Sequence, residues 1–450
     1  MFHPDSYCGE LWSQIEITPF GEYKICCLAN FDTDFGLALD KDGKPMSIYT
    51  HSIQEAMNSE THKEHRRQYR ENIKVQRCRN CYDAEESTVK QQWKNKDGTI
   101  SKYGKSKRQR VNNITSKDIP EYITWDKADQ YTAEDGSITS NVVNLGLRLG
   151  NLCNQKCIMC RPEHSNQWYD DWVALYGYGA SVLRPSASIK THTIQKNEKG
   201  KNELPIDTWW ESDIWWQRFT EIAPNLRHIY FTGGEPLISK GMKDILLYLI
   251  EKDFAKNVIL RYDTNLTAIN NQIIDNFKHF KRIDFCVSLD DTDEKYELIR
   301  YPGKFNNIVE NIKTVKSNGL NIHYLSCCVG IASIYSVERV TALAEQLGVP
   351  AEFRFLEGPH WLDLRALPRS AKEEIIKVYQ GFESHSPARK RWYNSVIKFL
   401  EKYIDHSNQN NVREFVTTMD KLDTLRGTDW RTSIADVHDL LKRHCPYLGL

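Results

Sequence analysis

A chain of 450 residues exceeds the roughly 250–300 at which a single hydrophobic core stops growing, which predicts one large domain and a smaller one. Lys plus Arg and Asp plus Glu both total 60, so the basic excess with which a duplex binder neutralises phosphates is missing; this argues against nucleic acid as a partner. Hydrophobic residues make up 40% and charged ones 27%, the composition of a soluble globular protein. The opening Met1-Phe2-His3-Pro4-Asp5 lacks the basic-then-apolar pattern of an export signal, and the best apolar run, Ile245 to Ile250, is too short to span a bilayer. The expectation is a cytoplasmic protein without a membrane partner, whose twelve cysteines are metal ligands and buried thiols rather than disulfides.

Residues 1–87 read as a small cysteine-rich unit. An alternating stretch around Trp12, Ile15 and Ile17 leads to Pro19-Phe20-Gly21, where Gly21 makes a hairpin turn, and Tyr23 to Cys27 is the return strand. Asp40-Lys41-Asp42-Gly43 lacks the later acidic ligands of a calcium loop and reads as a turn. Ser52 with Glu55 three residues on forms a capping box, starting a helix that leads to Cys78-Arg79-Asn80-Cys81. Cys8, Cys26, Cys78 and Cys81 make a four-thiolate set that suits zinc or an iron-sulfur cluster equally; Cys27 is the weaker ligand, because neighbouring side chains on a strand point to opposite faces. Residues 88–140 form a polar connector, in which Lys90 to Arg110 holds eight basic residues against one acid, Asp97: a solvated loop, or a contact surface for an acidic peptide.

From Asn141 short apolar strands alternate with helical stretches, the pattern of parallel βα units. Six strands are predicted, at 142–149, 226–231, 257–262, 283–289, 321–329 and 352–356, with helices at 240–253, 270–277, 305–318 and 335–347. Six units are too few for the closed eight-unit barrel, so the expected fold is α/β, a partial (β/α)6 barrel over residues 141–360. In such folds the site lies at the carboxyl ends of the strands. Strand one ends at Cys153, Cys157 and Cys160 in C-x3-C-x2-C spacing; three thiolates leave one iron of a four-iron cluster open, whereas a structural zinc is closed by four ligands.

The other strand ends carry small and polar residues. Gly233 and Gly234, followed by Glu235 and Pro236, offer close backbone approach and a carboxylate for an ammonium group. Asn265, Ser288 and Asp290 can bond hydroxyls such as those of a ribose, and Arg300 can clamp a carboxylate. Each alone is an ordinary turn or cap residue, but together they converge on one face. Glu357 and His360 after strand six, with Asp291 after strand four, are candidates for proton transfer or substrate contact. The insertion 162–225 holds six tryptophans, mainly packing residues, and a polar stretch from Arg184 to Asn202 that would suit a lid. Residues 361–450 read as a helical extension, with helices near 371–382, 389–405, 412–425 and 434–442, covering the open side of the barrel.

The cysteine loop, Gly233-Gly234-Glu235-Pro236, and Ser288-Leu289-Asp290 with Ile299-Arg300 together resemble the radical S-adenosylmethionine (SAM) family. The resemblance implies a 4Fe-4S cluster on Cys153, Cys157 and Cys160 whose open iron is chelated by SAM. It also implies reductive cleavage of SAM to a 5′-deoxyadenosyl radical that abstracts a substrate hydrogen, and an electron donor such as flavodoxin or ferredoxin. Met159 stands where the family often has an aromatic beside the adenine. Cys8, Gly21, Cys26, Cys78 and Cys81 resemble the SPASM/twitch auxiliary-cluster module, here preceding the barrel, which implies an auxiliary iron-sulfur cluster and, in the family, a peptide or protein substrate. A small-molecule substrate for the same chemistry and a zinc-stabilised binding module are the rival readings.

Overall fold

All six predicted core strands form, each within two residues of its expected bounds, because runs such as Ile229 to Phe231 and Phe285 to Val287 place β-branched and aromatic residues at strand spacing. The computed structural model describes residues 1–29, 36–90, 106–112, 119–182, 192–383 and 386–450. In chain order the strands are β1 (Gln14–Ile17), β2 (Tyr23–Lys24), β3 (Asn144–Arg148), β4 (Gln195–Lys196), β5 (Asn202–Glu203), β6 (His228–Thr232), β7 (Ile259–Thr264), β8 (Arg282–Ser288), β9 (Asn321–Val329) and β10 (Ala351–Phe355). β3, β6, β7, β8, β9 and β10 lie side by side in chain order and all run parallel. The fold is mixed α/β with a largely parallel sheet. β4 and β5 form a separate ribbon inside the insertion; residues 183–191 of the polar stretch, like most of the basic stretch Lys90 to Arg110, lie outside the described residues.

The cysteine-rich segment does not build a core of its own. β1 pairs in parallel with β3, and β2 pairs back on β1, so the segment extends the main sheet and shares its apolar cluster. Gly21 makes the expected turn with φ +80, and a Cβ there would meet the Trp209 ring at 3.2 Å. Trp209 from the insertion is fully buried and donates from Nε1 to the Pro19 carbonyl at 3.2 Å, the packing role expected of these tryptophans. The capping box at Ser52 is present, but the helix stops at Asn58 and a second, Glu60–Arg70, starts from Ser59. Asp40 to Gly43 is a turn, with Asp40 Oδ1 accepting from the Asp42 and Lys44 amides.

One face of the sheet is apolar. Ile15, Leu145, Leu147, Ile229, Phe231, Leu260, Phe285 and Leu325 are fully buried, in one cluster with Leu246, Leu249, Ile308, Ile312, Val337 and Val340 of the connecting helices, each such side chain worth about 1.5–3 kcal/mol. The C-terminal helices form at Arg369–Gly381, Pro387–Lys402, Gln409–Arg426 and Ala435–His444, close to expectation, with a short extra turn at Trp430–Ser433. Among the described residues no helix is long and apolar enough to cross a membrane.

Arg66 ties the N-terminal unit together. Fully buried and without an ion pair among the described residues, it donates from Nη2 to the Met57 carbonyl at 2.7 Å, from Nε to Leu11 at 3.1 Å and from Nη1 to Gly136 at 3.0 Å. Arg66→Met would strand three buried carbonyls, so the variant is expected to lose about 3 kcal/mol or more in urea unfolding.

Candidate functional site

Two residues past β3 stands Gly150, whose φ of +72 and close approach to Trp210, 2.5 Å from where a Cβ would stand, require glycine. The cysteine loop that follows is held from several sides. Lys156 N–H donates to the Tyr301 carbonyl at 2.7 Å and Ile158 N–H to Ile299 at 2.9 Å; Cys153 N–H donates to Asn166 Oδ1 at 3.0 Å. Ser165 Oγ donates to the Gln155 carbonyl at 2.5 Å, and Trp168 Nε1 to the Cys157 carbonyl at 2.9 Å. Cys153 and Cys157 are buried, Cys160 is half-buried, and all three are free thiols. Burial pushes the Cys153 thiol up to about 12. Cys157 moves the other way: the Cys160 thiol bonded to it holds its thiolate, and Arg300, donating from Nη1 at 3.7 Å, adds to the effect.

The strand-two loop after β6 docks on this one. Gly233 and Gly234 have φ of +78 and +52, and a Cβ on Gly234 would stand 2.3 Å from the Leu152 carbonyl oxygen, the same oxygen that accepts the Glu235 N–H at 2.8 Å. The two glycines therefore let backbone meet backbone. Pro236 opens the short turn that follows. The Glu235 carboxylate is buried and accepts from Thr264 Oγ1 at 2.6 Å, Asn265 N at 2.7 Å and Leu237 N at 3.0 Å; burial raises it to about 7. With about four acceptor positions on a carboxylate, one stays available. Asn265 donates from its side chain to Asn154 Oδ1 at 2.8 Å and accepts from the Thr267 amide and hydroxyl, so it joins the cysteine loop to the end of β7.

Asp290 and Arg300 come together as a buried pair at 2.7 Å, and Asp290 Oδ1 accepts the Cys328 N–H at 2.7 Å. Arg300, expected to clamp a ligand carboxylate, is thus committed to Asp290 and Cys157. Asp291 points elsewhere: both its oxygens are held by Arg339 at 2.7 Å. Ser288 stands half-buried at the end of β8 opposite Ser326, and Met159 packs half-buried beside the core. Glu357 and His360 are exposed on the loop after β10, away from this set of contacts.

Several residues that position the site were not singled out from the sequence. Arg426, at the end of a C-terminal helix, lies 4.8 Å over the Trp168 ring and pairs with Asp171 at 2.8 Å, while Lys156 takes the other Asp171 oxygen at 2.8 Å. The second face of the sheet is polar: Tyr230, Arg261, Asp263, Ser288, Ser326 and Cys328 are half-buried, Arg354 is exposed, and the Tyr230 phenol donates to Asp263. Parallel sheets usually have both faces covered and apolar. Alternation along His228–Thr232 and Ile259–Thr264 is the signal that marks the open face.

Cys8, Cys26, Cys78 and Cys81 line one cavity of about 450 Å³ of empty space, partly open to solvent, with Glu10, Tyr69 and Lys107. Lys107 Nζ donates to Cys26 Sγ at 3.5 Å and to Cys27 Sγ at 3.4 Å and pairs with Glu10 at 3.1 Å. Among the described residues no three His, Cys, Asp or Glu side chains converge tightly enough to hold a single metal ion.

Residues 147–335 match the family model described as the radical SAM superfamily, and residues 8–82 the one described as an iron-sulfur cluster-binding domain, SPASM. The chain carries a radical SAM domain and, before it, a SPASM domain. Its radical SAM domain brings a 4Fe-4S cluster and SAM, and its SPASM domain an auxiliary iron-sulfur cluster. The residues fit both groups: three thiols on a pinned loop, close enough to act on one another's charge, for the first, and a cavity lined by four cysteines with half-buried Lys107 beside it for the second. No curated protein matches the sequence. Among solved structures the radical SAM chain is similar to anSMEcpe with bound AdoMet (15% identity, TM-score 0.36, covering 60% of this chain and 64% of that one). It is also similar to Streptococcus suis SuiB bound to its precursor peptide SuiA (11% identity, TM-score 0.33, 73% and 60%). In both, the match spans less than two thirds of the other chain.

Cys157→Ala removes the thiol that Arg300 faces and leaves the SPASM cavity untouched. The variant is expected to form no 5′-deoxyadenosine with dithionite and SAM while retaining about four irons per chain, assayed by chromatography and iron quantification.

Proposed function

We propose that this radical SAM enzyme acts in the cytoplasm on a peptide or protein, removing a hydrogen atom from it, with electrons from a flavodoxin- or ferredoxin-type donor. The observation that carries this reading is the pairing of β1 with β3, which sets the SPASM cavity and the cysteine loop along one sheet. The open polar face continues from the next strand, β6, and Cys27 beside the cavity is close enough to Glu16, Arg148 and Tyr230 to feel their charge. A substrate on that face would lie on the sheet that carries both cluster sites. In the family, auxiliary clusters of this kind accompany peptide modification.

In this reading Cys153, Cys157 and Cys160 hold the active cluster, and Cys8, Cys26, Cys78 and Cys81 the auxiliary one. The cluster on the three-cysteine loop, when reduced, supplies the electron that cleaves SAM to methionine and the hydrogen-abstracting 5′-deoxyadenosyl radical. Glu235 has capacity for one more donor, the SAM ammonium; Asn265 and Ser288 stand at the next strand ends, and Gly233, Gly234 and Pro236 shape the loop. Arg300 and Asp290 brace Cys157 rather than touch SAM. Glu357 and His360 are the accessible candidates for proton transfer, since Asp291 is held by Arg339.

Macromolecular and small-molecule fractions of a lysate from deuterium-grown cells separate this reading from its rival. Incubated with reconstituted enzyme, unlabelled SAM and dithionite, the protein and peptide fraction is expected to put deuterium into 5′-deoxyadenosine. Deuterium transfer from the small-molecule filtrate alone would contradict it.

A further inference from the structure

The carboxylates of the polar face are mostly committed. Glu16 accepts from Arg148 Nε at 3.0 Å, Asp263 from the Tyr230 phenol, and Asp284 pairs with Arg282 at 2.9 Å. Two arginines are not. Arg261 lies between the rings of Tyr230 and Tyr324, 5.9 and 5.7 Å from their centroids, and donates from Nη2 to the Tyr324 hydroxyl at 2.8 Å; its Nε is buried with no acceptor. Arg354 donates from Nη2 to the same hydroxyl at 3.4 Å. Among the described residues neither makes an ion pair: Asp263 and Glu352 influence Arg354 electrostatically but stand beyond ion-pair distance. Arg354 is exposed to solvent on the strand at the edge of the sheet.

A buried guanidinium N–H without an acceptor is costly, and a planar fork matches a carboxylate bidentately. Tyr324 draws both guanidinium groups toward one oxygen and so holds them as a pair. Their place also suits a substrate. Arg354 is the register partner of Cys328, whose N–H bonds Asp290, which pairs with Arg300, which reaches Cys157. The two cations, one on β7 and one on β10, therefore stand on the sheet face whose contacts lead to the cysteine loop.

We infer that Arg261 and Arg354 bind a carboxylate of the substrate peptide. This rests on the peptide reading above. The carboxylate can come from an acidic side chain or from a free C-terminus.

The test uses reconstituted, SAM-saturated enzyme, immobilised and exposed to C-terminally amidated random pentapeptides with Glu, Gln or Lys at the centre, and to the Gln set with a free C-terminus. The amidated Glu set, the free-acid Gln set or both are expected to be retained about tenfold or more over the amidated Gln set, the size of one charge-assisted hydrogen-bonded pair. Retention of the amidated Glu set alone assigns a side chain, and of the free-acid set alone a C-terminus. The preference is expected to vanish in Arg354→Gln, at an exposed position on an edge strand, and to fall in Arg261→Lys. Equal retention of all sets, or preference for Lys, would overturn the inference while leaving the peptide reading standing. Retention of no set, with labelled SAM still bound, would overturn both.

Discussion

One backbone contact organises the catalytic end of the sheet: the Leu152 carbonyl seated against Gly234 and bonded to the Glu235 N–H. It locks the cysteine loop at the end of β3 onto the loop at the end of β6, and through Glu235 it reaches Thr264 and Asn265 at the end of β7. Any side chain at position 234 would collide with that oxygen. The glycine pair is therefore explained by the fold of the loops themselves, before any ligand is considered. The same contact explains how Glu235 can be buried: three donors converge on it from the segments that the docking brings together.

Charge is arranged around the thiols in the same spirit. A buried cation needs a paired charge or a set of acceptors, and removing the partner of a buried pair is strongly destabilising. Arg300 is matched by Asp290; Arg426 and Lys156 share Asp171. Counting formal charges, these three cations face two carboxylates, so the surroundings of Cys157 favour an anionic occupant. At the other cavity Lys107 stands between two thiols and Glu10. Each cysteine set thus has a cation beside it, Arg300 at Cys157 and Lys107 at Cys26, which offsets part of the burial that raises the thiols of Cys153, Cys8, Cys78 and Cys81.

The strands, most of the connecting helices and the two cysteine sets were legible because each rests on local spacing: β-type runs, capping residues and cysteine intervals. What local spacing cannot show is where a side chain ends up. Arg300 read as a ligand clamp because its place just past β8 does not show that the helix Asp293–Ile299 returns it to Asp290. Arg426 was out of reach, being 255 residues from Asp171. The pairing that joins the N-terminal SPASM domain to the main sheet left no local signal, since strand pairing is non-local. The polar face left a trace in the alternation of β6 and β7, unusual for parallel strands.

The central claim is that two cysteine sets on one sheet hold two iron-sulfur clusters. Anaerobic purification followed by quantification of iron, acid-labile sulfide and zinc tests it most directly. The account expects a brown protein with about eight irons and eight sulfides per chain, four from each cluster. A colourless, zinc-replete protein without sulfide would contradict it.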